Sequence, residues 1–116
     1  MRYEDKSGSF RRQYPRRDFS RKIGVLCDGS YFVCDSREIG EGGMSIRSEY
    51  ILTEGHQVVL SFQVPNGSFV FLRGTIVSTQ KKQGDDTVTH GLSFNEIDFS
   101  IKRQIRSYVS ARADAS

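Results

Sequence analysis

The sequence is poor in the residues from which catalytic and metal centres are built. Only two histidines occur among 116 residues. His56 stands in a turn-like "TEGHQ" and His90 in a strand-like run, and neither neighbours a Ser, Cys or carboxylate motif, so both read as structural or surface residues. Two cysteines, Cys27 and Cys34, lack C-x-x-C spacing and have too few histidines near them in sequence for a metal site. They read as small apolar residues on neighbouring strands, and their spacing leaves a disulfide open. Long apolar runs are missing as well. Stretches such as "FVFL" fall far short of the ~20 residues that span a bilayer, and the first twenty residues contain no apolar segment of the signal-peptide kind. These absences predict a cytoplasmic protein that is not an enzyme, needs no cofactor or metal and inserts no segment in a membrane.

What is present is charge, unevenly placed. Residues 1–22 hold eight Lys/Arg against three Asp/Glu, a net of +5, whereas the remainder holds nine against eleven, a net of −2. The overall +3 therefore belongs to the leader, which favours a local anion site over a protein-wide field for nucleic acid or membrane. Within it, "RRQYPRRDFSRK" at 11–22 is strongly basic yet unsuited to a helix, because Pro15 removes a backbone donor and pushes Tyr14 toward an extended conformation.

From Ile23 the texture changes to short apolar runs separated by turn signals about every ten residues. "KIGVLC" ends at the hairpin dipeptide Asp28-Gly29, and "SYFVC" returns. "GMSIRS" follows a glycine cluster. In "VVLSFQV", Val58, Leu60, Phe62 and Val64 share one face, and "PNGS" leads to "FVFLRGTIVST". A polar loop, "KKQGDD", precedes "TVTHGLSF". About six strands with short connections predict a mainly β fold, a small antiparallel barrel or closed sandwich. The final segment changes period: Ile101, Ile105, Tyr108 and Arg112 fall on one helical stripe, with Asp98 or Ser100 placed to cap it. One domain is expected, with residues 1–10 a flexible polar N-terminus, 11–22 the extended basic arm, 23–96 the barrel, 98–112 a closing helix and 113–116 a tail.

Two short patterns stand out. Arg12 and Arg16 form R-x-x-x-R, flanked by Arg11 and Arg17, and Arg17 with Arg21 repeats the spacing; the Arg12/Arg16 register is preferred because residues 17–22 must run into the first strand. Two predicted strands later, "EIGEGGMSI" has Glu38, Gly40 and Gly43 spaced as E-x-G-x-x-G ahead of a strand, with no Walker lysine or Rossmann spacing. In this order and on this strand pattern the chain resembles the PilZ domain family, whose first motif is R-x-x-x-R and whose second is [D/N]-x-S-x-x-G. "EGHQVVLSFQVPNG", "LRGTIVST" and "HGLSFNEIDFSIKRQIRSYV" resemble the family's later strands and helix, so the likeness covers residues 10–112.

The resemblance implies a six-stranded split β-barrel, with a C-terminal helix, that binds cyclic di-GMP, a bacterial second messenger, and passes the signal to a partner protein. Carried over by position, Arg12 and Arg16 would clamp the ligand from an arm that orders on binding. Arg11 and Arg17 would be auxiliary, and Glu38, Gly40 and Gly43 would meet the ligand at the turn. Arginine suits this task because its planar guanidinium forks onto phosphate and stacks on a purine. Glu38 stands where the family has Asp or Asn, and Gly40 where it has Ser. Losing one neutral hydrogen bond costs roughly 0.5–1.5 kcal/mol, less than the roughly 1.5–3 kcal/mol of a charge-assisted one, so binding is expected to be weakened rather than abolished. The alternative is a degenerate domain serving as a protein-interaction module. A small-barrel nucleic-acid binder is disfavoured, because Phe62, Phe69 and Phe71 are expected in the core and the body is net acidic.

Overall fold

Strand periodicity does most of the building. Val58, Leu60, Phe62 and Val64 are buried while Gln63 between them is exposed, and Val70, Leu72 and Ile76 repeat the pattern on the neighbouring strand. The protein is represented by a computed structural model that describes residues 14–115, with side chains through residue 111. Its elements are β1 (Arg16–Asp18), β2 (Lys22–Cys27), β3 (Ser30–Gly40), β4 (Gly43–Ser48), β5 (Gln57–Gln63), β6 (Phe69–Gln80), β7 (Val88–Phe94) and α1 (Phe99–Ala115). The strands run β3-β2-β5-β6-β7-β4, all pairs antiparallel, and β4 pairs again with β3. The result is a closed six-stranded barrel, as expected, in which every barrel strand has two neighbours.

The seventh strand, β1, departs from expectation. The free arm anticipated over 11–22 is sheet from Arg16 onward: Arg16, Arg17 and Asp18 pair with Gly40, Ile39 and Glu38 of β3, and Lys22 resumes pairing at Asp35. One residue of register is absorbed between the two stretches. There the Phe19 amide donates to the Arg37 carbonyl and the Ser36 amide to the Arg21 carbonyl, each at 2.8 Å. Ser36 is itself buried; its hydroxyl donates to the Phe19 carbonyl and accepts the Arg21 amide at 3.0 Å. Phe19 turns inward and packs edge-on against Phe62 and Tyr108, at 5.6 and 6.0 Å between ring centroids. A single large apolar side chain thus anchors a polar leader to the barrel.

β3 is also longer than "SYFVC" suggested, continuing through the polar "DSREIG" to Gly40. Asp35 and Arg37 face solvent, and Ser36 is satisfied by backbone, so polar composition does not end the strand. Asp98 caps the helix from just before its first residue: its carbonyl accepts the Lys102 amide at 2.9 Å and its carboxylate accepts the Ser100 hydroxyl at 2.6 Å. Ile105 and Val109 are buried, with Ile101 and Tyr108 half-buried beside them; the side chain of Arg112 lies outside the described residues. No helix among the described residues is long and apolar enough to cross a membrane.

Two expectations about single residues change. Phe69 and Phe71 lie on the outward parity of β6 and are 60% and 69% exposed, so only Phe62 of the three phenylalanines is core. Both cysteines are buried and free, and Cys34 pairs in register with Ile23, four positions from Cys27 on β2. Four positions along a strand are about 13 Å, beyond the ~7 Å that a disulfide bridges. His90 is fully buried, its ring nitrogens 3.1 Å from Thr79 Oγ1 and 3.2 Å from the Leu52 amide, so of the structural and surface roles open to it in sequence it takes the structural one.

Candidate functional site

Residues directly opposite in an antiparallel ladder share a face. Register therefore sets out two rows across the outer wall. Arg16, Gly40, Gly43 and Ser93 form one, running through β1, β3, β4 and β7; Asp18, Glu38, Ser45 and Gly91 form the next. The intervening Ile39, Met44 and Leu92 point into the core. Apart from Arg16 and the Asp18–Glu38 pair, the wall is glycine and serine, hence a floor low enough for a flat ligand to approach the backbone. At Gly43 a Cβ would collide with the Leu92 carbonyl, so only glycine lets β4 pack this closely on β7. At Gly40 a Cβ would stand 2.7 Å from the Pro15 carbonyl and 3.1 Å from Arg16 Cγ.

Over this floor lies an open cleft of about 660 Å³, a size suited to a small-molecule ligand. Gly40, Gly43 and Ser93 form its base, Tyr14 and Arg16 enter from the leader, and Lys102 enters from α1. Lys102 Nζ sits 5.3 Å from the centroid of the Tyr14 ring, a cation–π contact that ties leader to helix at the cleft edge. The two-residue turn between β3 and β4, Glu41-Gly42, is fixed from below. Glu41 is buried and accepts two parallel bonds from Arg106 of α1, Oε2 from Nε and Oε1 from Nη2, both 3.0 Å. Hydrogen bonding and charge from Glu41 push the Arg106 guanidinium above its ordinary pKa. The turn also docks on β7, the Phe94 amide donating to the Gly42 carbonyl at 2.9 Å.

Of the residues singled out in sequence, the structure brings Arg16, Gly40 and Gly43 together in the cleft. Glu38 lies on the same wall one row away, about 7 Å along β3, and does not line the cleft. Arg17 is not brought there. By strand alternation it takes the parity of Ile39, and its guanidinium donates to the Tyr108 carbonyl at 2.9 Å while lying 4.2 Å from that ring's centroid. Arg17 is thus a clasp between β1 and α1, completed by the Tyr108 hydroxyl donating to the Asp18 carbonyl at 2.6 Å. Arg11 and Arg12 lie outside the described residues. Sequence reading missed Tyr14, Ser93 and Lys102. Parity along "HGLSF" could have found Ser93, two positions from Gly91, whereas Lys102 arrives only through the docking of the helix.

Solved structures share this architecture. The Bacillus subtilis inhibitor of motility MotI/DgrA superposes with a TM-score of 0.78 at 16% identity, over 91% of this chain and 53% of its own. Escherichia coli YcgR in complex with c-di-GMP gives 0.69 at 18% identity, over 90% of this chain and 47% of its own. The PilZ domain of YcgR with c-di-GMP gives 0.67 at 18% identity, covering 90% of this chain and 97% of that one. The chain thus spans about half the length of the first two proteins and nearly all of the isolated domain. No curated protein sequence matches it. The PilZ domain model matches residues 10–111, nearly the whole chain, and on that match this protein belongs to the PilZ domain family.

Proposed function

We propose that this protein is a non-enzymatic receptor for cyclic di-GMP, binding the dinucleotide in the cleft beside the Gly40–Gly43 turn. The observation that carries the reading is the pairing of Arg16 with Gly40, which sets a guanidinium and a glycine floor on one open wall. Membership of the PilZ family, and likeness to structures solved with c-di-GMP such as those of YcgR and Borreliella burgdorferi PlzA, support the choice of ligand. Arg16 forks onto a phosphate, with Arg12 as its expected companion and Arg11 an auxiliary charge. Lys102 adds a second cation from the opposite rim, and Tyr14 offers a ring on which a guanine can stack. Glu38 accepts from guanine N–H groups where ligand extends onto the neighbouring row. Occupancy is read by a separate downstream protein.

Calorimetric titration of the full chain with cyclic di-GMP tests the reading. Heat is expected, and Arg16→Ala should weaken binding about ten- to hundred-fold, the loss of one charge-assisted contact. Absence of heat at tens of micromolar ligand would overturn it. That outcome would favour the second reading, a PilZ domain that holds a protein partner without the dinucleotide. One observation leans that way: a Cβ at position 40, which the family's serine would bring, would stand only 2.7 Å from the Pro15 carbonyl.

A further inference from the structure

At the opposite end of β3 the fold assembles a cluster that sequence spacing conceals. The Asp28-Gly29 turn has φ of 51° and 83°, the left-handed conformations that a tight two-residue hairpin requires. This turn carries the Asp28 carboxylate back over the lip of the barrel, where Cys27 ends β2. The loop before β5 delivers His56 to the same place. Asp28 Oδ2 lies 3.1 Å from His56 Nδ1 and 3.8 Å from Cys27 Sγ. Sulfur, oxygen and nitrogen all lie within 4.8 Å of one another. A tetrahedral ion with ligands at about 2.0–2.3 Å holds such atoms about 3.3–3.6 Å apart, a spacing the two measured distances bracket. The donor set is one thiolate sulfur, one imidazole nitrogen and one carboxylate oxygen, the mixture that borderline-soft divalent ions select.

We propose that Cys27 Sγ, Asp28 Oδ2 and His56 Nδ1 form a binding site for a divalent transition ion, with Zn²⁺ the best match, and that water fills a fourth position on the exposed side. Asp28 and His56 are solvent-facing, which provides the entry path, while the sulfur sits at the rim of the core. Binding replaces the thiol proton: the S–H bond breaks, the sulfur keeps its electron pair for the metal, and the proton leaves to solvent. The site ties the loop ahead of β5 to the β2–β3 hairpin. It lies about 30 Å from the glycine turn along the eleven residues of β3, so it stands apart from the nucleotide cleft.

The reduced, metal-free 116-residue chain titrated with Co²⁺ tests the assignment, because a cobalt thiolate is seen directly in absorption. A near-ultraviolet thiolate-to-cobalt charge-transfer band with intense tetrahedral visible bands is expected, and Zn²⁺ should displace both. His56→Ala, an exposed loop change that leaves the core intact, should weaken Co²⁺ more than about ten-fold. Cys27→Ser should abolish the charge-transfer band while Cys34→Ser retains it. Absence of that band in the wild type, or its persistence at full affinity in His56→Ala, overturns the proposal. Neither result depends on cyclic di-GMP.

Discussion

Gly40 shows how much a single Cβ decides. Read from sequence, it is a serine lost from a motif, and restoring the hydroxyl should strengthen binding. In the structure a Cβ at this position meets the Pro15 carbonyl at 2.7 Å, and backbone cannot yield as a flexible side-chain tip can. Gly40→Ser is therefore expected to push β1 away from β3 and to weaken, not strengthen, cyclic di-GMP binding; calorimetry on the variant beside the wild type decides the sign. Cys34 offers a second residue-level test. Burial pushes its thiol up to about 12, from an ordinary value near 9.0. Between those values the unfolded chain releases a proton that the folded chain keeps, so stability is fully present below pH 9 and lost as pH rises toward 12. The slope for one such proton is about −1.4 kcal/mol per pH unit. Denaturant titrations across that range should show the fall, and Cys34→Ala should flatten it.

At the scale of elements, the feature that makes the site is the continuity of leader and barrel. β1 and β2 run end to end along one edge of β3, joined by a kink whose polar groups converge on Ser36. Removing that hydroxyl leaves the Arg21 amide without its acceptor, a loss of about 1–3 kcal/mol. Ser36→Ala should lower the denaturant midpoint accordingly and increase amide exchange over residues 16–21, while the barrel's central strands stay protected. The helix shares this work. It reaches the leader through Tyr108 and Lys102 and the glycine turn through Arg106, so one element braces both halves of the cleft. With cyclic di-GMP bound as proposed, a pull on Tyr14 would reach Lys102 of α1 through their 5.3 Å contact.

For the molecule as a whole, closure is the decisive event, and it occurs at β4. This six-residue strand pairs with β3 on one side and β7 on the other, joining the first hairpin to the last. Its first residue, Gly43, is pressed so closely on the Leu92 backbone that any side chain must open the seam. Gly43→Ala is thus expected to destabilise the entire domain by about 1–3 kcal/mol, read as a lower Tm for the single unfolding transition, besides disturbing the cleft floor. The outer face carries a different message. Phe69 and Phe71 stack edge to face at 5.4 Å on the exposed side of β6, away from the core in which sequence reading expected them. Strand parity assigns the face, and the preference of phenylalanine for burial does not override it.

Periodicity, turn dipeptides and the helical stripe were enough, in sequence, to mark six strands, their hairpins and the closing helix, because those depend on contacts between near neighbours; closure as a barrel was implied by the family resemblance, since it joins β2 to β5 and β4 to β7 across the chain. The pairing of a basic leader with a glycine turn was legible too, since both lie on short patterns. Other features depended on which distant strands meet. The capture of residues 16–18 by β3, the turning of Arg17 toward Tyr108 and the arrival of Lys102 at the rim all follow from barrel register and helix docking. So does the meeting of Cys27 and Asp28 with His56, nearly thirty residues on. No local preference encodes such encounters; they exist only once the barrel has closed.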